Sequence, residues 1–483
     1  MPTLGIDVGT QSLKAVVLGD QMQVLGAGSV GYRPDFPQPG WAEENPQLWL
    51  EALKPAIAAA LAEARLAPHD IAALAVCGQL DGCVPVDSAG RALAPAIIWM
   101  DRRAEPLLAA IDPTLIRDRC GLVLDATHMG AKIAWLNMHL VQRRDVATWH
   151  QPVSFVVAAL TGRKVISCSL ASTTMLYDMR GGDWDDELLA LFGVRRQELP
   201  PIAGDADIAG LLTGEGADLT GLPSGLPVAV GTGDDFSNPL GCGIHRPGVV
   251  AVSLGTAETV AALSDRDIVD PGMLVETHAF PGGRFHLGNP GWLSGGAVRW
   301  AAGLLSIAGD EAFSAKAAEA PPGCDGVIFI PALSGAMSPK WIAAARGSFL
   351  GLTPSHGASH LARAVLEGTA FAMRDVIDRL DALGVPTERL RLMGGGARSG
   401  LWCRIRADVS GRPAELLTES DASAIGAALL AAVAAEIIPD IGTACAALRL
   451  PMREIAPGPP VYEDTYRRYR DSFAALEPLW QDR

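Results

Sequence analysis

Long apolar runs are missing from this sequence, and so are basic blocks, paired cysteines and any Gly-rich loop ending in Gly-Lys-Ser/Thr. Each absence removes a class of function. No apolar stretch approaches the roughly 18 residues that a membrane helix needs. The net charge is −15 with no Lys/Arg cluster, so nucleic acid is not an expected partner. The eight cysteines (Cys77, Cys83, Cys120, Cys168, Cys242, Cys324, Cys403 and Cys445) are scattered, without a Cys-x-x-Cys pair or a histidine at zinc-ligand spacing. They read as small buried apolar side chains in a reducing compartment. Met1-Pro2-Thr3-Leu4 runs directly into a strand pattern, with no basic segment and no apolar signal core. A soluble, cytoplasmic protein is therefore expected. The missing GxxxxGK[ST] loop removes the P-loop nucleotide enzymes.

Apolar residues make up 49% and charged residues 19% of the 483, which suits a folded globular chain with more than one core. Leu4–Leu18 reads as strand, turn, strand, with Gly9-Thr10 in the turn; Gly248–Leu263 repeats the pattern around Gly255-Thr256. The repetition suggests an internal duplication, with a first domain over 1–245 and a second over 246–483. PLGCGIHRPG, just before the second copy, has the composition of a hinge. Helices are expected over Asn45–Arg65, Ser359–Leu383 and Asp421–Ile438, and strands over Ile71–Gly78, Leu226–Val230 and Leu390–Met393. Asp205–Pro227 reads as a loop-heavy connection. This alternation predicts an α/β architecture.

Gly26-Ala27-Gly28-Ser29-Val30-Gly31 matches the dinucleotide fingerprint, but three prolines follow at once, so no helix can start there to hold a pyrophosphate. The two Gly-Thr turns fit phosphate chemistry better. In Asp7-Val8-Gly9-Thr10-Gln11-Ser12, glycine lets the backbone approach an oxyanion while Thr10, Gln11 and Ser12 add donors. Lys14 lies within reach of the same anion. Asp7, at the strand end, suits a magnesium ion that keeps waters and phosphate oxygens as its other ligands. Gly255 and Thr256 are positioned to repeat the cradle.

Gly231-Thr232-Gly233-Asp234-Asp235 follows an apolar strand and offers a carboxylate able to accept a proton, as phosphoryl transfer to an alcohol requires. The Gly394-Gly395-Gly396-Ala397 turn gives bare backbone on which a flat ring such as adenine can lie. Gln79, Leu80 and Asp81 follow one apolar strand, and Trp99, Asp101 and Arg103 follow another. Polar groups beside an aromatic face suit a polyhydroxylated ligand.

Taken in order, GIDVGTQSLKAVV, GQLDG, IIWMDRR, GTGDD, SLGTAE, LSGAMSP, GSFLGLT, LARAVLEGTAFAMRD, GGGARSGLW and SAIGAALLA resemble the FGGY carbohydrate kinases, and within them the xylulokinases. The resemblance runs almost the full length. It implies two actin-like, ribonuclease-H-type domains hinged around a cleft, using ATP and magnesium to phosphorylate a small sugar, most simply a ketopentose such as D-xylulose. It also implies Asp234 as catalytic base, Asp7 as the magnesium-associated carboxylate, Asp235 as a sugar contact, Gly395, Gly396 and Ala397 as adenosine-motif positions, and Gly426 as the glycine of the helix that follows. The expected partners are a sugar or polyol and ATP, with a homodimer left open.

The departures bear on the acceptor. Xylulokinases usually carry Gln-Met-His-Gly where this chain has Gln79-Leu80-Asp81-Gly82, and Asn at 235. An ionised Asp81 only accepts hydrogen bonds, which suits a hydroxyl and favours a polyol or another ketopentose such as ribulose. The family's Gly-Glu-Arg-Thr-Pro stands here as Gly335-Ala336-Met337-Ser338-Pro339, and its Ser after the second Gly-Thr is Ala257. The arginine–glutamate signature of glycerol kinase is absent from GQLDG, which argues against glycerol. A kinase-derived binding protein without turnover is the rival from another class, and intact Asp7, Thr10, Asp234, Gly255 and Thr256 speak against it.

Overall fold

The computed structural model describes residues 1–417 and 421–481. Two compact units emerge. One comprises Met1–His245, Thr277–Phe285 and Asp421–Arg449, and the other Arg246–Glu276, His286–Ser420 and Leu450–Arg483.

The sheet of the first unit runs in the order Ile208–Leu211, Pro227–Ala229, Leu74–Gly78, Thr3–Val8, Ser12–Leu18, Val24–Gly31. Thr3–Val8 pairs antiparallel with Ser12–Leu18 and parallel with Leu74–Gly78. The second unit repeats the scheme. Gly248–Leu254 pairs antiparallel with Ala257–Ser264 and parallel with Thr387–Met393, which in turn pairs parallel with Ala414–Leu417. Both Gly-Thr pairs therefore sit in the tight turn of the hairpin at the centre of a sheet. The turns differ by one residue: Gly9 N–H donates to Ser12 O (3.1 Å), whereas Gly255 N–H donates to Ala257 O (3.0 Å).

The predicted helices form with small changes at their ends, as Pro46–Ala64, Ala358–Ala382 and Ala422–Ala434. Asn45 caps the first of these, its Oδ1 accepting from Gln47 N–H at 3.1 Å. Trp49, Leu53, Ala56, Ile57, Ala60 and Leu61 recur on one face of that helix and are buried. Burial of each of its large apolar residues is worth about 1.5–3 kcal/mol. The helix lies so close to Val24–Gly31 that a Cβ at Gly28 would stand 2.1 Å from Ala56 O. The glycines of the discarded fingerprint thus serve helix-on-sheet contact.

The expectation of a loop-heavy Asp205–Pro227 is corrected, since the segment holds the sheet strand Ile208–Leu211 and the helix Gly214–Thr220. Two glycines in GEGADLT lower intrinsic helix propensity. Thr213 offsets them by capping, its Oγ1 accepting from Gly216 N–H at 3.0 Å. The first expected strand begins at Leu74 rather than Ile71.

Helix Ala422–Ala434 belongs to the first unit despite its late position in the chain. Added Cβ atoms at Gly5, Gly241 and Gly426 would lie 1.8, 1.8 and 2.0 Å from the carbonyl oxygens of Ala424, Ala422 and Ser237. Glycine is thus required on both sides of this contact. All eight cysteines are free, and all but Cys168 are buried. No helix among the described residues is long and apolar enough to cross a membrane.

Candidate active site

Thr3–Val8 delivers Asp7 to the rim of the first sheet, directly across the hairpin from Lys14. The residue keeps some solvent exposure, but its Oδ1 is buried without a hydrogen-bond donor. Burial, together with the charges of Asp234 and Asp421, pushes its carboxyl up to about 7, against the opposing pull of Lys14. Lys14 Nζ in turn pairs with Asp421 Oδ1 at 3.1 Å. The turn itself is pinned from outside. Tyr32 donates its hydroxyl to Gly9 O (2.6 Å) and its N–H to Gln11 O (3.0 Å). Trp99 Nε1 donates to Thr10 Oγ1 at 3.0 Å, so the Thr10 hydroxyl keeps its own proton to offer. Gln11 is exposed, and Ser12 and Lys14 are half-buried.

A magnesium ion fits this chemistry. An orphaned carboxylate oxygen and a mutually repelling Asp7–Asp234 pair both gain from a cation. Among the described residues no three His, Cys, Asp or Glu side chains converge as a metal cage. That suits an ion which takes most of its ligands from water and phosphate.

Asp234 opens the helix Asp234–Gly241, a position the glycine loop alone did not reveal. The two glycines before it are closely packed, Gly231 against backbone and Gly233 against the Leu80 side chain. At Gly231, with φ of 81°, a Cβ would stand 1.9 Å from Val76 O; at Gly233 it would stand 1.7 Å from Leu80 Cδ2. Thr232 Oγ1 shares a hydrogen bond of 2.7 Å with Ser169 Oγ, whose hydroxyl also reaches the buried Asp205 carboxylate. Asp234 is held by this frame, and its Oδ1 accepts from Asp235 N–H at 3.1 Å. Burial and the neighbouring Asp81 charge raise its carboxyl to about 6, partly offset by backbone donors.

Leu80 packs on Gly233, which brings the Gln79-Leu80-Asp81 turn against the Asp234 loop. Gln79 is 2% exposed; its amide donates to Glu44 Oε2 at 2.9 Å, leaving its own Oε1 without a donor. Glu44, which sequence reasoning missed, also accepts from Trp49 Nε1 at 2.7 Å, and burial raises it to about 7. Asp81 is held by Gln151, whose Oε1 accepts from Asp81 N–H at 3.1 Å. Its Oδ1 lies 3.5 Å from His128 Nδ1. Lys132, wholly buried nearby, donates to Thr127 O. Burial lowers it to about 8, and Asp81, Cys83, Asp101 and Asp125 pull it back up. His128 and Lys132 lie at and just inside the start of helix Met129–His139, about 50 residues from the Asp81 turn, and carried no local motif.

Trp99 is exposed, at 41%, whereas Asp101 and Arg103 are spent on each other. Asp101 accepts from Ala42 N–H (2.6 Å) and from Arg103 N–H and Nε (2.9 Å each). The Arg103 guanidinium also pairs with Glu43 at 2.7 Å and lies 3.7 Å from the Trp41 ring centroid.

In the second unit, the carbonyls of Gly255 and Thr256 accept from the N–H groups of Gly295 (3.2 Å) and Gly296 (3.0 Å), at the start of helix Gly295–Leu304. Arg299 Nη2 donates to Thr256 Oγ1 at 2.6 Å. The Gly395–Arg398 turn follows Thr387–Met393. A Cβ at Gly395 would meet nothing within 4 Å, whereas one at Gly396 would meet Leu254 Cβ and the Trp402 ring, each at 2.8 Å. Gly395 is thus the open face of the turn, while Gly396 and the buried Ala397 anchor it. Glu258, one residue past Ala257, forms a fully buried bidentate pair with Arg406 (2.5 and 2.6 Å). That pair ties the second hairpin to the helix that follows the glycine turn.

Family models for the FGGY carbohydrate kinases match over both halves, the N-terminal domain at residues 3–241 and the C-terminal domain at 250–435. The chain belongs to the FGGY family of carbohydrate kinases, with that family's two-domain, actin-like α/β fold. It is 32% identical to the xylulose kinase of Escherichia coli over 438 residues, covering 89% of this chain and 90% of that one. It is 31% identical to the glycerol kinase of Thermococcus kodakarensis over 446 residues, covering 90% and 88%. The crystal structure of xylulose kinase from Rhodospirillum rubrum superimposes with a TM-score of 0.92 at 31% identity, covering 100% of both chains. Xylulose and glycerol kinases stand at nearly equal identity, so kinship gives the reaction class and leaves the acceptor to the site's own chemistry.

Proposed function

We propose that this chain transfers the γ-phosphoryl group of ATP to a terminal hydroxyl of a small open-chain sugar, with D-xylulose the first candidate among ketopentoses. Asp234 acts as the general base: it takes the hydroxyl proton as that oxygen bonds to the γ-phosphorus. The bond from that phosphorus to the β–γ bridging oxygen breaks, and ADP leaves. The observation that carries this reading is Asp234 itself, framed by a closely packed glycine loop pinned through Thr232 and raised to about 6, a value suited to accepting a proton near neutrality. Asp7, with Asp234, would hold magnesium, which supplies charge neutralisation for the phosphate oxygens.

The remaining residues divide by unit. In the first, Thr10, Gln11, Ser12 and Lys14 receive phosphate oxygens. Gln79, Leu80, Asp81, Trp99 and Asp235 face the acceptor, while Asp101 and Arg103 hold the Trp99 segment in place. In the second, Gly255 and Thr256 take phosphate, and Gly395, Gly396 and Ala397 take the adenosine. A pentitol, tetritol or ribulose is the second reading, favoured by a carboxylate at position 81. The reading is tested by Asp234→Ala. Sugar phosphorylation should fall by about 10²–10⁴-fold while ATP binding persists. A variant that keeps a large share of the wild-type rate would remove Asp234 from the role of base.

A further inference from the structure

The acceptor side of the first unit is rich in buried hydrogen-bond acceptors that lack donors. Gln79 Oε1, Glu44 Oε1 and Asp81 Oδ1 are all buried without a hydrogen-bond partner. Gln79 cannot turn to relieve this, because its amide is committed to Glu44. Asp81 is 7% exposed and adopts a left-handed backbone, with φ of 61°, fixed by Gln151. Leu80, its neighbour in the chain, packs on Gly233, the residue before Asp234, so the Asp81 turn lies against the loop that carries the proposed base. His128, 3% exposed, presents Nδ1 to Asp81 Oδ1 at 3.5 Å, and Lys132 supplies a buried positive charge nearby. A ligand that satisfies such a site must bring hydrogen-bond donors.

We propose that Asp81 and His128 together form the element of the acceptor site that selects a hydroxyl over a carbonyl. Asp81 receives the hydroxyl hydrogen, and His128 is a positioning residue that keeps the carboxylate oriented. The inference rests on the kinase reading above and reverses its order of acceptors, putting polyols, or sugars whose carbonyl lies away from this position, ahead of D-xylulose. The chemistry is asymmetric. A hydroxyl donates to Asp81, whereas a carbonyl there offers only lone pairs to an anion and leaves the carboxylate without a hydrogen-bond donor. Sites built to pair with a substrate hydroxyl reject analogues that lack it far more strongly than apolar pockets reject a missing methylene.

The test compares two matched pairs that differ only at C2, xylitol against D-xylulose and ribitol against D-ribulose, by coupled ADP release with saturating magnesium-ATP. The wild-type protein should favour a pentitol over its ketose by about ten- to hundredfold in kcat/KM, the discrimination expected from one unpaired buried group. Asp81→His, which replaces the acceptor with a side chain that can donate, should reverse the ratio. His128→Phe should lose the pentitol preference chiefly through KM, and His128→Gln should retain part of it. Direct calorimetric binding of one pair to the wild-type protein gives the same ratio without any variant, and melting curves identify variants that fail to fold. A wild-type ratio at or below one overturns the proposal. So does a folded His128→Phe whose ratio stays within twofold of wild type. If no acceptor accelerates ADP release, the kinase reading falls and this inference with it; if both kinds do so with the ketose equal or preferred, only the inference falls.

Discussion

The Asp234 carboxyl sets an acid limb that can be calculated. Its value of about 6 lies well above the ordinary 3.8, because burial and Asp81 both disfavour the charged form. A general base works only when ionised, so kcat/KM for the acceptor should fall as pH drops. With a group at about 6 the ionised fraction falls about tenfold between pH 7 and pH 5, whereas an ordinary aspartate would lose only a few per cent. The measurement is acceptor kcat/KM from pH 4.5 to 8 at saturating magnesium-ATP; the cation that holds Asp7 ionised also draws Asp234 down, so the limb of the complex lies at or below about pH 6, and its shift in Asp81→Asn under the same conditions carries the test. Asp81→Asn removes the neighbouring charge and should move the limb to lower pH, even though the variant is slower throughout. A wild-type limb well above pH 6, or a limb unmoved in Asp81→Asn, refutes the assignment of the limb to Asp234 beside Asp81.

Three further outcomes are expected. Asp7 is raised to about 7 against 3.8 unfolded, so its cost is absent below about pH 4 and complete above about pH 7. Asp7→Asn should therefore stabilise the nucleotide-free protein at pH 8 but not at pH 4, by at most about 4 kcal/mol and seen as a higher melting temperature, while abolishing activity. Glu258→Ala strands Arg406 in a dry site and should cost about 3–5 kcal/mol in urea titration, whereas Glu258→Leu with Arg406→Met should cost much less. Gly395→Ala meets nothing in the protein, so melting should be unchanged while the KM for ATP rises; an unchanged KM would remove the open glycine face from nucleotide binding.

The two hairpins were legible because their signal is local: alternating β-branched strands around Gly-Thr. The Gly231–Asp235 loop was legible as a glycine frame, but not as a helix start, since Asp-Asp-Phe-Ser carries no capping signature. The residue types of Asp101 and Arg103 suit a sugar ligand, and the sequence pattern offers nothing against that role. That they close on each other is a property of one turn's geometry, invisible in composition. Glu44, His128 and Lys132 left no trace because each is brought to the site by tertiary packing rather than by a neighbouring motif. The resemblance to the family supplied what spacing alone did not, namely the role of Asp234.

Helix Ala422–Ala434 carries a consequence for how the protein is made. The first unit cannot cover Gly5 and Gly241 until that helix exists, and its residues trail His245 by nearly two hundred positions. At about 5–20 residues per second, the ribosome supplies it some 10–40 s after the rest of that unit has emerged. Through that interval the nascent first sheet keeps an apolar face bare, and a fragment ending at His245 would keep it bare for good.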